Sequence, residues 1–196
     1  MYKEKLNDIL DDIENKEVDI AGGAIVGMVL SVTNSLIKYI SNLTVGKKKY
    51  IEVQDKVNEI LINAENLKKQ TLNIIDKDKE ILERILDAYK LRKEDYDNYV
   101  KINKEAVDFC MQVLNLAFET LKLAKEISLV GNRMLASDFK ICAYYSFASI
   151  ESAIVNVEIN LNSIDDENYK KQIKDECTNI LNEAKIIKKE ITDKEV

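Results

Sequence analysis

Not one proline occurs among the 196 residues, and there are only five glycines. Proline is the residue that most reliably stops a helix, because it lacks the backbone N–H and clashes with the preceding turn. A chain without it, rich in Leu, Ile, Lys, Glu, Asp and Asn, is free to run long helices joined by short turns. No Gly/Ser/Pro-rich linker divides it. The expectation is therefore an all-α fold, one domain over residues 1–196, large enough to bury a sizeable core.

Apolar periodicity and turn residues mark the helices. The first covers about Tyr2 to Asn15, with Leu6, Leu10 and Ile13 inward, and the second about Ala24 to Leu43, ended by Gly46 beside three lysines. A long third helix is expected from about Tyr50 to Leu91, and the polar stretch Arg92 to Asn98 reads as a turn. The fourth runs from about Val100 to Ser128, with a bend expected because its pattern is uneven. The fifth spans Ser137 to Leu161 with Ser137 as its N-cap, and the sixth Tyr169 to Ile191 behind Asp165-Asp166. This predicts an up-and-down bundle of five to six long helices. The second and fifth look too apolar for one chain to cover, so a homodimer is expected.

Composition removes several functions. A net charge of −6 is wrong for a nucleic-acid binder, which needs a basic surface. Histidine is absent, and with it the commonest metal ligand and general base, so chemistry falls to carboxylates, Lys, Tyr or Cys, with no metal expected. Cys110, Cys142 and Cys177 are odd in number and widely spaced, as reduced core thiols of a cytoplasmic protein would be. The acidic start lacks a signal peptide's apolar stretch. Ala21 to Ile37 is the most apolar run; it reads as a core helix, short for a membrane span of about 20 residues.

A few residues stand out chemically. In IIDKDKEIL, Asp78 lies three or four positions from Ile74, Ile75, Ile81 and Leu82 and so falls on the apolar stripe, whereas Asp76 falls on the wet face. Burial would raise the Asp78 pKa and suit it to general acid–base work; the alternative is an ordinary ion pair with a nearby Lys, or a carboxylate at the stripe's edge in water. On the fifth helix, a second stripe of Asp138, Cys142, Tyr145, Ser149, Ser152, Asn156 and Asn160 is small and mostly uncharged. It reads either as a helix–helix seam with satisfied amides or as the wall of a polar cleft. Asp138 fits a helix-start acid as well as a ligand group. Lys47-Lys48-Lys49 is a solvated turn or an anion clamp, and Gly22-Gly23 before a helix could offer backbone N–H groups.

Together NLTVGKKKY (Asn42 to Tyr50), DKD (Asp76 to Asp78), GN then SD (Gly131, Asn132, Ser137, Asp138) and NVEINL (Asn156 to Leu161) resemble the cyclodeaminase/cyclohydrolase family over nearly the whole chain. The resemblance implies an all-helical homodimer acting on one-carbon derivatives of tetrahydrofolate, with no cofactor beyond that substrate. It implies that Asp78 is the catalytic aspartate. Asn132, Asp138, Asn156 and Asn160 would orient the pterin, with Gly22, Gly23 and Ser137 nearby, and Lys47 and Lys48 would meet the glutamyl carboxylates. The implied reaction is formiminotetrahydrofolate cyclodeamination; the alternatives are methenyltetrahydrofolate hydrolysis or a non-catalytic helical dimer. Two departures stand out. Val18-Asp19-Ile20-Ala21-Gly22-Gly23-Ala24 replaces the family's usual Pro-Thr-Pro-Gly-Gly-Gly-Ser, and Ile81-Leu82 replaces a common Ala-Phe.

Overall fold

The computed structural model describes residues 2–14 and 22–193, so Val18 to Ala21 of the altered stretch lie outside the described residues. Among those described there are six α-helices, two 3-10 turns and no strand: α1 Tyr2–Glu14, α2 Gly22–Asn42, α3 Gln54–Leu91, α4 Tyr96–Val130, α5 Ala136–Leu161 and α6 Glu167–Thr192. Helices α2 to α6 alternate in direction. Asp78 on α3 meets the start of α2 and Glu65 meets its later turns; Arg84 of α3 pairs with Glu105 of α4, and Cys110 of α4 faces Asn160 of α5. This is the expected up-and-down bundle.

Helix α2 is central, packed on α3, α4 and α5. Its Leu30, Ile37 and Ile40 are fully buried with Leu114, Leu121 and Ile127 of α4 and Ile150 of α5. At 21 residues it is long and apolar enough to cross a membrane, contrary to the expectation that it is too short. What marks it as a core helix is burial. Several of its polar groups bond inside the protein: Asn34 Nδ2 donates to Leu30 O at 2.9 Å and to Thr120 Oγ1 at 3.1 Å, and Lys38 pairs with Glu65.

The α2–α3 seam rests on small residues at every fourth position. Gly23 faces Asp78, Gly27 faces Thr71 and Ile74, and Ser31 Oγ lies 2.8 Å from Thr71 Oγ1. Residues four apart stack on one helix face, so this row forms a low ridge that lets the backbones close up. The face with the expected apolar stripe of α5 is also buried, with Phe139, Ala143, Phe147, Ile150, Val157 and Leu161 all in the core.

Several helix ends differ from expectation. Residues Lys48–Val53 form a 3-10 turn, so α3 begins at Gln54 and not at Tyr50. Helix α4 starts four residues early at Tyr96, because Asp95 accepts a hydrogen bond from Asn98 N and caps it, and it is uninterrupted to Val130. Ser137 is not an N-cap: a 3-10 turn at Arg133–Leu135 runs directly into α5, and the capping side chain is Asn132, which accepts from Met134 N. Of the Asp165-Asp166 pair, Asp166 caps α6 through Tyr169 N, whereas Asp165 accepts from Tyr96 OH at 2.7 Å.

A methyl group at Gly27 would sit 2.9 Å from Thr71 O and 3.2 Å from the Ile74 side chain. Gly27→Ala should therefore destabilise the fold by about 1–3 kcal/mol through overpacking, read as a lower urea midpoint. An unchanged midpoint would mean that the two helices have room to part.

Candidate active site

Asp78 reaches across from the middle of α3 to the first turn of α2. Its Oδ2 accepts from Ala24 N at 2.9 Å, one of the N–H groups that a helix start leaves without an internal partner. The carboxylate comes this close because residue 23 has no side chain: a Cβ there would lie 2.1 Å from Asp78 Oδ1. Asp78 is half-buried, and Asp76, two residues away, is exposed, as helical spacing predicts. No ion pair to Asp78 occurs among the described residues, so the alternative of a lysine partner finds no support there. Burial pushes its pKa above the ordinary carboxylate value, and the Ala24 hydrogen bond only partly opposes this.

Two asparagines of the last turns of α5 complete this end. A Cβ on Gly22 would come to 4.0 Å of Asn156 Oδ1. Asn160 Nδ2 donates to Asn156 O at 2.8 Å and reaches Cys110 Sγ of α4 at 3.5 Å. Burial, and then the charge of Asp78, push the Cys110 thiol up to about 12. The thiol is therefore a neutral neighbour of the carboxylate. Sequence reasoning missed Cys110, which carries no signal beyond lying on an apolar helical stripe.

The remaining candidates stand at the opposite end of the bundle. Asn132 N donates to Thr44 Oγ1 at 3.0 Å, Asn132 Nδ2 to Leu43 O at 3.4 Å, and Tyr50 OH to Asn132 Oδ1 at 3.4 Å. Tyr50 OH in turn accepts from Arg133 N at 3.1 Å. This lock ties the α2–α3 connection to the α4–α5 connection. Lys47 and Lys48 are exposed on the same connection, where Gly46 takes a positive φ of 74°. Ser137 is exposed and Asp138 half-buried in the first turn of α5; Cys142, one turn on, is lifted to about 12 by burial and then by the charge of Asp138. From Asp138 to Asn156 is 18 residues of continuous helix, about 27 Å. One chain thus brings Asp78, Gly22, Gly23, Asn156 and Asn160 together, and leaves Lys47, Lys48, Asn132, Ser137 and Asp138 at the far end.

The small polar stripe of α5 is neither a uniform seam nor a continuous cleft. Cys142 and Ser149 are buried, Tyr145 and Ser152 are exposed, and the two asparagines border the Asp78 end. Three buried acceptors or hydroxyls, Asn34 Oδ1, Ser146 Oγ and Ser149 Oγ, lack a hydrogen-bond partner among the described residues. Among those residues no group of three Cys, Asp or Glu side chains is placed to hold a metal ion.

Comparison with known proteins places this geometry in context. A family model described as formiminotransferase-cyclodeaminase matches residues 5–179. A methenyltetrahydrofolate cyclohydrolase from Methylorubrum extorquens is 27% identical over 188 residues, covering 92% of this chain and 90% of that protein. The formimidoyltransferase-cyclodeaminase of Sus scrofa is 21% identical over 92% of this chain, which spans only 35% of that longer protein. A crystal structure of formiminotetrahydrofolate cyclodeaminase from Thermotoga maritima superposes with a TM-score of 0.86 at 25% identity, over 95% of this chain and 94% of that one.

The Asp78 environment has a measurable consequence. A carboxyl whose folded pKa is raised favours folding while it is protonated, and that contribution is lost as pH rises through the folded pKa. Asp78→Asn, which can still accept from Ala24 N, should be more stable than the parent at pH 7. The advantage should vanish below the unfolded carboxylate value of about 4. Paired urea melts across pH test this; an Asn variant less stable at neutral pH would show that the charged form is the one the fold favours.

Proposed function

This chain belongs to the formiminotransferase-cyclodeaminase family, and we propose that it makes or breaks a C–N bond at the one-carbon bridge between N5 and N10 of a reduced folate, with Asp78 as the proton carrier. The observation that carries this reading is the state of Asp78: half-dry, without a paired cation among the described residues, and anchored by a backbone N–H. The one-carbon unit of both 5-formimino- and 5,10-methenyltetrahydrofolate is a cationic amidinium. A carboxylate kept short of counter-charge is a natural partner for it.

The first reading is cyclodeamination. Folate N10 attacks the formimino carbon, the new C–N10 bond forms, and Asp78 takes the N10 proton. Asp78 then returns that proton to the departing nitrogen, the old C–N bond breaks and ammonia leaves, giving 5,10-methenyltetrahydrofolate. A carboxyl with a raised pKa can do both transfers near neutral pH. The match to the Thermotoga maritima cyclodeaminase along its length supports this reading. The second reading is hydrolysis: water adds to the methenyl carbon, and Asp78 takes one of its protons and passes it to N5 as the C–N5 bond breaks. The hydroxyl of the adduct gives up its remaining proton to solvent as the formyl C=O forms, leaving 10-formyltetrahydrofolate. The similarity to the Methylorubrum extorquens cyclohydrolase over 90% of that protein's length favours it.

The separation of the candidate residues also supports a homodimer. Helices α2 and α5 pack antiparallel, and each keeps an exposed stripe free of charge: Val32, Ser35 and Tyr39 on α2, and Ile141, Tyr145, Ala148, Ser152, Val155 and Ile159 on α5. Contiguous apolar surface of this kind marks an interaction face. A second copy docked there about a twofold axis perpendicular to the helices would lay its Lys47, Lys48 and Asn132 end beside Asp78 of the first. The folate would then meet residues from both chains.

Three outcomes check these statements. Purified protein mixed with 5-formiminotetrahydrofolate should release ammonia as methenyl absorbance rises, or should consume methenyl absorbance when given the methenyl substrate; silence in both assays would refute the enzyme reading. Asp78→Asn should lower kcat by roughly 10²- to 10⁴-fold with its helical circular dichroism intact. In solution the protein should sediment at twice its 22.5 kDa, and Val155→Arg should convert it to a monomer of lower activity; a monomeric parent with full turnover would sink the shared site.

A further inference from the structure

The amide of Asn160 can be oriented by chemistry alone. One of its polar atoms lies 2.8 Å from Asn156 O, and a carbonyl oxygen can only accept, so that atom is the amide nitrogen. The same Nδ2 points to Cys110 Sγ at 3.5 Å, across the α4–α5 seam. With the nitrogen held from two sides, the carbonyl Oδ1 must face the other way. The hydrogen bonds of this side chain among the described residues both run through Nδ2, and Asn160 is only half-buried, so its oxygen is turned away from both partners. At the same end of the bundle lie Asp78, whose charge is felt at Cys110, and the first turn of α2.

We infer that Cys110 is a positioning residue, whose sulfur pins the Asn160 amide nitrogen and so presents the Asn160 carbonyl oxygen to the ligand as an acceptor for a ring N–H. The inference rests on the folate reading above and narrows it. Reduced pterins carry N–H donors along one edge, and an oriented amide oxygen selects that edge over a ring that offers only acceptors. Cys110 is 8% exposed and its thiol is held neutral, so sulfur serves here as a weak acceptor and not as a nucleophile. Without it, Asn160 keeps its bond to Asn156 O but loses the second restraint on its side-chain torsions. The amide can then swing, and the oxygen is no longer presented in one place.

The test is a double-mutant cycle on the full chain with whichever of the two folate substrates it turns over. Cys110→Ala should raise KM roughly three- to tenfold, the range one modest hydrogen bond commands, with kcat changed less than about twofold. Cys110→Ser, which restores an acceptor, should recover most of that loss. In an Asn160→Ala background, Cys110→Ala should cost nothing further, because Cys110 acts through Asn160. A separate readout needs no turnover: in nitrogen-edited NMR spectra the Asn160 side-chain amide signals should be distinct in the parent and broadened or shifted in Cys110→Ala. Additive losses in the cycle, or an unchanged KM with only a lower melting temperature, would reduce Cys110 to packing and overturn the inference while the enzyme reading stands. A parent inactive on both folates would sink that reading, and an Asn160 amide signal indifferent to Cys110→Ala would then dispose of the positioning role on its own.

Discussion

The structure depends on how closely α2 can approach α3. Gly23, Gly27 and Ser31 repeat at every fourth residue on the face of α2 turned toward α3: a side chain at Gly23 would strike a carboxylate, one at Gly27 a backbone carbonyl, and Ser31 meets a threonine hydroxyl. The closeness has two consequences at once. It seals the core beneath Leu30 and Ile37, and it places Asp78 against a helix start, where an N–H can hold the carboxylate in position while the surrounding protein strips away water. Fold and chemistry therefore share one seam. A change that opened it would cost packing energy and return Asp78 to ordinary solvated behaviour.

Along α5 the same polar-looking stripe does two different jobs. Cys142 and Ser149 fill a seam, and near the end Asn156 and Asn160 stand at the end of the bundle that holds the carboxylate, while Asn132, ahead of the helix, ties two connections together. A helix of this length spans about 27 Å between its two polar ends, too far for one small ring system to bridge. The antiparallel pairing of two copies proposed above would resolve that distance, because it would set the head of one α5 against the tail of the other. The charge-free exposed face that such pairing needs is present on both α2 and α5.

Much of this was legible in the sequence, and the failures have physical causes. A proline-free chain with 3.6-residue periodicity gives the bundle, and the apolar positions around Asp78 give its half-buried setting. The ends of helices were harder. The polar run before α4 looked like a turn because Asp95 and its neighbours suit both a loop and a first helical turn. Ser137 looked like a cap because nothing local reveals that the chain is already turning at Arg133. Gly22-Gly23 was visible as a candidate donor of N–H groups, but the role of Gly23 as an absent side chain depends on a residue 55 positions away. Cys110 was invisible for the same reason. A thiol on a core stripe is indistinguishable from any small apolar residue until the register of α4 on α5 is known.

The departures from the family pattern can be weighed by asking what the carboxylate uses. From residue 24 it takes only a backbone N–H, which alanine supplies as well as serine, so the missing hydroxyl leaves the anchor of Asp78 intact. From residue 23 it needs the absence of a Cβ, and glycine is retained there. A bundle kept only for its shape would have no reason to hold a half-buried carboxylate, with no paired cation among the described residues, against the destabilisation it brings.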